Sequence, residues 1–313
     1  MKKIDITAHG EILIDFAPCG TDGNGDAMFA RKAGGAPLNV LATAAKYGCD
    51  TAFIGKVGKD IHGEFLIETV KKCGIGSYVA IDEEHKTTLA FVQLDERGDR
   101  SFSFYRKHGA DVYLNENDVP DGVIENSRVF HFGSLSLTAE NAKKATDHAL
   151  EIAKNAGCTV SFDPNYRAKL WENEQTAVNA MREYIVFADI VKLSVEEACM
   201  IAGKTDADEA LNAVAAMGLK VVLMTDGEGP VRYAVGGKTD TVGVKKVNAV
   251  DTTGAGDIFF GTFLTCFLRS GIPVDKLSIT DTRPMVEKAV EKASASTLLH
   301  GAVASIPPWE INE

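Results

Sequence analysis

Clustered cysteine is what this chain lacks first. Its six cysteines, Cys19, Cys49, Cys73, Cys158, Cys199 and Cys266, are never closer than 24 residues. That spacing excludes a Cys-x-x-Cys metal or thiol-redox motif, and in a chain of this size it predicts reduced thiols and a cytoplasmic setting. Positive charge is also in short supply. Lys and Arg total 33 against 44 Asp and Glu, a net charge of −11, which argues against a nucleic-acid partner. Long apolar runs are missing: the most apolar stretch, Ile258 to Leu268, is far shorter than the roughly 20 residues a bilayer needs. Asp5, Glu11 and Asp15 interrupt the sequence after Lys2 and Lys3, so the start does not read as a secretory signal. No internal repeat or low-complexity linker is present.

Several motifs are absent too. Gly237-Lys238-Thr239 looks like the tail of a phosphate-binding P-loop, but Arg232 stands where the first glycine belongs. Gly236-Gly237 reads instead as a hairpin turn. A nicotinamide-binding fold needs Gly-x-Gly-x-x-Gly after its first strand, and this chain has Gly10-Glu11-Ile12-Leu13-Ile14-Asp15. The seven histidines are scattered without ligand spacing and receive no catalytic role.

What is present is alternation. Short β-branched or aromatic runs at 4–8, 51–57, 128–132, 159–163, 190–193 and 220–225 are separated by helical patterns at about 36–48, 62–73, 139–156, 174–187, 195–202, 206–217, 257–270 and 283–299. Glycines follow six of those patterns, as they do at helix ends. The order predicts an α/β fold with a doubly wound, mainly parallel central sheet flanked by helices, as one domain over residues 1–313. Two segments, about 10–33 and 88–106, break the alternation. The second reads as a hairpin of Leu89–Leu94 and Ser101–Tyr105 with its turn at Asp95–Asp99. Strands without covering helices predict a small sheet that serves as a lid.

The sharpest segment is Asp251-Thr252-Thr253-Gly254-Ala255-Gly256-Asp257. Small residues at 254–256 let the chain turn tightly into a helix whose free N–H groups can hold an anion. Asp257, in the first turn, adds a carboxylate. A cap would not need the preceding Gly-Ala-Gly. Anion cradle and carboxylate together point to phosphoryl transfer, with the amides of Gly254, Ala255 and Gly256 stabilising charge and Asp257 accepting a hydroxyl proton.

With these residues in view, the chain resembles the ribokinase-like (PfkB) family of sugar kinases, and within it bacterial fructokinases. DTTGAGDIFFG at 251–261 is similar to that family's C-terminal signature and AGGAPLNVLATAAKYG at 33–48 to its N-terminal one. GEILIDF at 10–16, SFSFYRKHGAD at 101–111 and FDPNYRAKLW at 162–171 carry the fructokinase likeness. The resemblance implies an ATP-dependent kinase with Mg²⁺ that makes fructose 6-phosphate. It implies sugar contacts from Asp15, Gly34, Gly35 and Asn39, and from Arg106 and Arg167. For the nucleotide it implies Lys192, Ser194, Glu197, Thr225, Gly227, Gly229 and Ser294, with Glu197 organising Mg²⁺ through water. Ser194 stands where relatives carry Asn. Asp251, Thr253, Gly301 and Ser305 match positions that hold K⁺ in relatives. Apart from the resemblance, exposed lid strands need cover, which predicts a homodimer joined through the lid. The alternatives are a 2-keto-3-deoxygluconate kinase or another sugar kinase of the family and, from another class, a non-catalytic sugar-binding regulatory protein.

Overall fold

The computed structural model describes residues 2–94 and 100–310; the turn expected at Asp95–Asp99 lies outside the described residues. Among the described residues thirteen strands form two sheets. They are β1 Ile4–His9, β2 Leu13–Thr21, β3 Ala27–Gly34, β4 Thr51–Gly58, β5 Gly76–Asp82, β6 Leu89–Leu94, β7 Arg100–Tyr105, β8 Ser127–Gly133, β9 Thr159–Asp163, β10 Ile190–Ser194, β11 Val221–Thr225, β12 Val231–Val235 and β13 Lys238–Val242. The large sheet runs β13-β12-β11-β10-β9-β8-β1-β4-β5 and is parallel except for β12 and β13. Those two antiparallel strands are joined through Gly236 and Gly237, both at positive φ (58° and 75°), as a two-residue hairpin of this twist requires.

Alternation along the strands splits the apolar residues between two cores. Val221 and Leu223 enter one core with the helices Ala36–Lys46, Ile61–Lys72, Ala255–Ser270 and Ile279–Ser296. Val222 and Met224 enter the other with Glu140–Asn155, Glu174–Ile185, Val195–Ala202 and Ala207–Ala215. A strand apolar on both faces therefore needs helices on both sides, which is the doubly wound arrangement.

The last long helix starts earlier than the expected 283. The Ser278–Asp281 capping box opens it at Ile279, ahead of Pro284 within it. The strand β5 has no counterpart in the sequence reading, because its outer position leaves it half exposed and only weakly apolar.

The small sheet runs β3-β2-β6-β7. Phe16 opposes Phe91 across β2 and β6, and their rings stack at 4.9 Å. Asp15, one residue earlier, points to the opposite face. One face of this sheet carries Phe16, Phe29, Phe91 and Tyr105, and the other carries Asp15 toward the main body along with Phe102 and Phe104.

Candidate active site

The helix Ala255–Ser270 begins at Gly254, which adopts the left-handed conformation (φ 76°, ψ 1°) and caps the helix without a side chain. A Cβ there would stand 2.5 Å from that of Ala302, so the turn and the 301–305 loop can meet only because residue 254 is glycine. The Ala255 N–H donates to Thr252 O at 3.2 Å, so this amide is committed within the turn, unlike its expected part in an open anion cradle. Gly254 and Gly256 line a cavity of about 290 Å³ together with Asp257, Lys192, Ser194, Glu197 and Arg167. Thr252 and Gly256 also line a second cavity of about 310 Å³, which Thr225, Gly227 and Ser294 border. The two cavities meet at this helix N-terminus.

Asp257 is buried, and Asn39 Nδ2 donates to its Oδ2 at 2.8 Å. Burial pushes its carboxyl up to about 6; Asp163 adds to the rise, while Lys192, the Asn39 bond and Arg167 oppose it. Asn39 lies in the first turns of the helix Ala36–Lys46, which Gly35 caps at φ 115°. Asp15 stands nearby. Burial raises it to about 6 as well, with Arg167 opposing, Asp257 adding and Lys32 opposing. A Cβ on Gly34 would overlap Asp15 Oδ2 and come within 2.8 Å of its Cγ. Asp15, Gly34, Gly35, Asn39, Arg167 and Asp257 therefore gather at one place.

Arg106 behaves differently from its expected contact with a sugar. It is buried, and its Nε, Nη1 and Nη2 donate to Asp111 Oδ2, Thr138 Oγ1 and Leu135 O at 2.6, 2.7 and 2.9 Å. It fastens the root of β7 to the main body. Gly229 departs too: its N–H closes a turn on Asp226 O at 2.6 Å, and it is not among the residues bordering the larger cavity.

Ser194 shows why serine can replace asparagine. It caps the helix Val195–Ala202: its Oγ accepts the Glu197 N–H at 3.1 Å, and Glu197 Oε2 accepts the Ser194 N–H at 2.7 Å. Both residue types make good N-caps. Glu197 Oε1 accepts the Tyr166 N–H at 2.7 Å. Asp251 joins the two loops of the expected cation site: its Oδ1 accepts the Thr253 N–H at 2.7 Å and its Oδ2 the Gly301 N–H at 2.9 Å. Ser305 Oγ donates to Ala302 O at 3.0 Å.

The sequence matches the model of the pfkB family of carbohydrate kinases over residues 3–309. The chain belongs to this family. It is 36% identical over 313 residues to probable fructokinase-5 of Arabidopsis thaliana, covering 96% of this chain and 94% of the relative. Among solved structures, a fructokinase with bound ATP from Xylella fastidiosa superposes with a TM-score of 0.89 at 30% identity, covering 98% and 96% of the two chains. A fructokinase from Vibrio cholerae O395 in a fructose, ADP and calcium ion bound form gives 0.85 at 29%, covering 97% and 96%.

Three residues of this pfkB site escaped the sequence reading. Lys32 acts on Asp15 and shares a sheet face with Gly34, a signal that β alternation from Gly34 carries. Glu11 is buried beneath the turn, its Oε1 accepting the Ala36 N–H at 3.1 Å, and burial lifts its carboxyl to about 7 against the Arg106 charge. Asp163 ends β9 and meets Lys192 from an adjacent strand, a contact with no local signature in sequence. His9 and His131, by contrast, are buried within the main body, where burial lowers them to about 4 and about 3.

Proposed function

We propose that this chain is an ATP-dependent fructokinase that phosphorylates D-fructose to fructose 6-phosphate. The observation that carries the reading is Asp257: a buried carboxylate in the first turn of a glycine-started helix, at the junction of two cavities, oriented by Asn39. The larger cavity suits adenine and ribose, with Thr225, Gly227 and Ser294 on its wall. The smaller one receives the triphosphate end and the attacking hydroxyl. Asp15, Asn39 and the Gly34–Gly35 turn hold the sugar. Asp257 takes the proton of its 6-hydroxyl as the helix N-terminus and Lys192 meet the charge on the transferring phosphoryl group. Likeness to the fructose- and ATP-bound fructokinases of Vibrio and Xylella supports substrate and nucleotide.

Magnesium fits the donor set. Among the described residues there is no group of three or more His, Cys, Asp or Glu able to cage an ion. Glu197 at the cavity wall suits an ion that keeps its waters and phosphate oxygens. Bound there, magnesium would neutralise phosphate charge. The Asp251–Gly301 loop pair is the place for potassium, with Thr253 and Ser305.

The commitment of Arg106 to Asp111 removes one of the two cations that would greet an acid sugar, which favours fructose over 2-keto-3-deoxygluconate. The small sheet acts as the lid, closing over the sugar and limiting water. Among the described residues no helix is long and apolar enough to cross a membrane, and the six free cysteines suit the cytoplasm.

The test is ADP release with Mg-ATP and potassium across fructose, glucose, ribose, 2-keto-3-deoxygluconate, adenosine and no acceptor. Strong stimulation by fructose above the others is expected. Stimulation by another acceptor alone would replace the substrate, and none at all would favour a sugar-binding regulatory protein.

A homodimer through the lid completes the proposal. Phe29 and Tyr105 are 43% and 66% exposed, with both rings edge-on to Phe91, and exposed aromatic sheet faces seek cover. Sedimentation should give twice the chain mass, and Tyr105→Lys should shift it toward the monomer. A monomeric parent protein would remove this assembly.

A further inference from the structure

Asp163 takes no part in the roles assigned above, yet it is 1% exposed and lies directly behind the site. Its two oxygens are spent on two different parts of the cavity wall. Oδ2 accepts from Lys192 Nζ at 3.0 Å, and Oδ1 accepts the Asn165 N–H at 3.1 Å. Lys192 Nζ in turn stands 3.0 Å from where a Cβ on Gly256 would be, so the ammonium sits against the glycine turn itself. Asn165 is held at φ 46°, the one non-glycine residue at positive φ among those described, and it leads directly into Tyr166 and Arg167. All of these except Asp163 itself line the smaller cavity.

A buried ion pair is weak evidence of stabilisation. Desolvating both charges costs several kcal/mol, and an apolar pair of similar volume serves packing as well. This pair also places a second carboxylate near Asp257, which it repels. A core built for stability alone would avoid that arrangement. Backbone strain of the Asn165 kind likewise persists where surrounding structure enforces it, and such positions gather at functional sites.

We propose that Asp163 is a positioning residue of the reaction: it holds Lys192 against the phosphoryl-receiving turn and fixes the Asn165–Arg167 segment beside the sugar. The inference rests on the kinase reading above. Asp163 reaches no substrate atom and acts through Lys192 and the loop. It also sets the charge around the base. The groups that bear on Asp257 are Asn39 from its helix, Asp163 from β9, Lys192 from β10, Asp15 from β2 and Arg167 from the loop. Lys192 is itself surrounded: burial lowers its ammonium, but Asp163, Glu197 and Asp257 outweigh burial and raise it.

The experiment compares Asp163→Asn, Asp163→Glu, Lys192→Met and the Asp163→Asn/Lys192→Met double variant in kcat, KM and the pH profile of kcat/KM with fructose and Mg-ATP. Asp163→Asn is expected to lose about 10²-fold in kcat, the scale of a misplaced catalytic contact, with a smaller change in fructose KM. Its acid limb should move to lower pH, because Asp257 loses a repelling neighbour. Asp163→Glu keeps the charge but moves the ammonium, so its limb should stay with the parent while kcat falls. The double variant should lose no more than Lys192→Met alone, since residues acting as a unit are not additive. Unchanged kcat in Asp163→Asn, an unmoved acid limb or additive losses would each overturn the proposal. Should Asp163→Asn fail to fold, Asp163→Glu decides: parental kcat there overturns it. A parent protein with no sugar-dependent turnover defeats the kinase reading and this inference together. A parent that turns over while the Asp163 variants match it defeats this inference alone.

Discussion

Asp257→Asn is expected to lose about 10²- to 10⁴-fold in kcat, the usual contribution of a positioned general base. The amide is nearly isosteric and can still accept the bond from Asn39 Nδ2, so KM for fructose and ATP should change little. The same variant should be more stable than the parent at alkaline pH. The folded-state carboxyl titrates at about 6, above its ordinary value of 3.8, because burial penalises its charge. The folded chain therefore binds the proton more tightly than the unfolded one. Stability falls as pH rises through the window from about 4 to about 6 and stays reduced above it. Asparagine has no charge to bury, so a gain on the order of 3 kcal/mol should appear at pH 8 and largely vanish at pH 4. Steady-state kinetics and thermal melts at both pH values check the two halves. Turnover within threefold of the parent would remove Asp257 as the base, and equal melting at pH 8 would remove the buried charge as a cost.

The second large effect is expected at Gly34. A methyl group there would overlap Asp15 Oδ2, the far end of a side chain. The chain can accommodate alanine by rotating Asp15 away, and what it loses is the carboxylate's position. Gly34→Ala should raise fructose KM by about tenfold or more, a loss of roughly 1.4 kcal/mol or more in binding, with melting nearly unchanged. Gly35 provides the contrast. Its Cβ would overlap the Glu11 carbonyl oxygen and approach Ile12 Cα at 3.2 Å, with φ at 115°. Neither backbone atom can swing aside, so Gly35→Ala should cost stability, about 1–3 kcal/mol, before it costs sugar affinity. Measuring KM and melting for both variants separates the readings. A Gly34→Ala enzyme with parental fructose KM would mean that Asp15 does not hold the sugar.

Much of this was legible in sequence, for identifiable reasons. The central parallel strands are apolar on both faces, so runs such as Val221–Thr225 stand out whatever their neighbours. The small residues at 254–256 announce a tight turn because few other residues can make one. The half-exposed strand β5 gives no such run. The partners of Arg106 were not legible, because an arginine beside a lid looks like a free cation in sequence; only the fold brings Asp111, Thr138 and Leu135 O around it. Lys32 was within reach through strand alternation from Gly34. Asp163 was not, since its importance lies in Lys192, which reaches it from the next strand.

In the proposed reaction this site moves the γ-phosphoryl group of ATP to the 6-hydroxyl of fructose. The most direct test follows the phosphorus itself: incubate the chain with ATP labelled at the γ position, magnesium, potassium and fructose, and separate the products. That reaction puts label in fructose 6-phosphate, in step with ADP and abolished in Asp257→Asn. Label found only in inorganic phosphate, or in a different sugar when a mixture is offered, would contradict it.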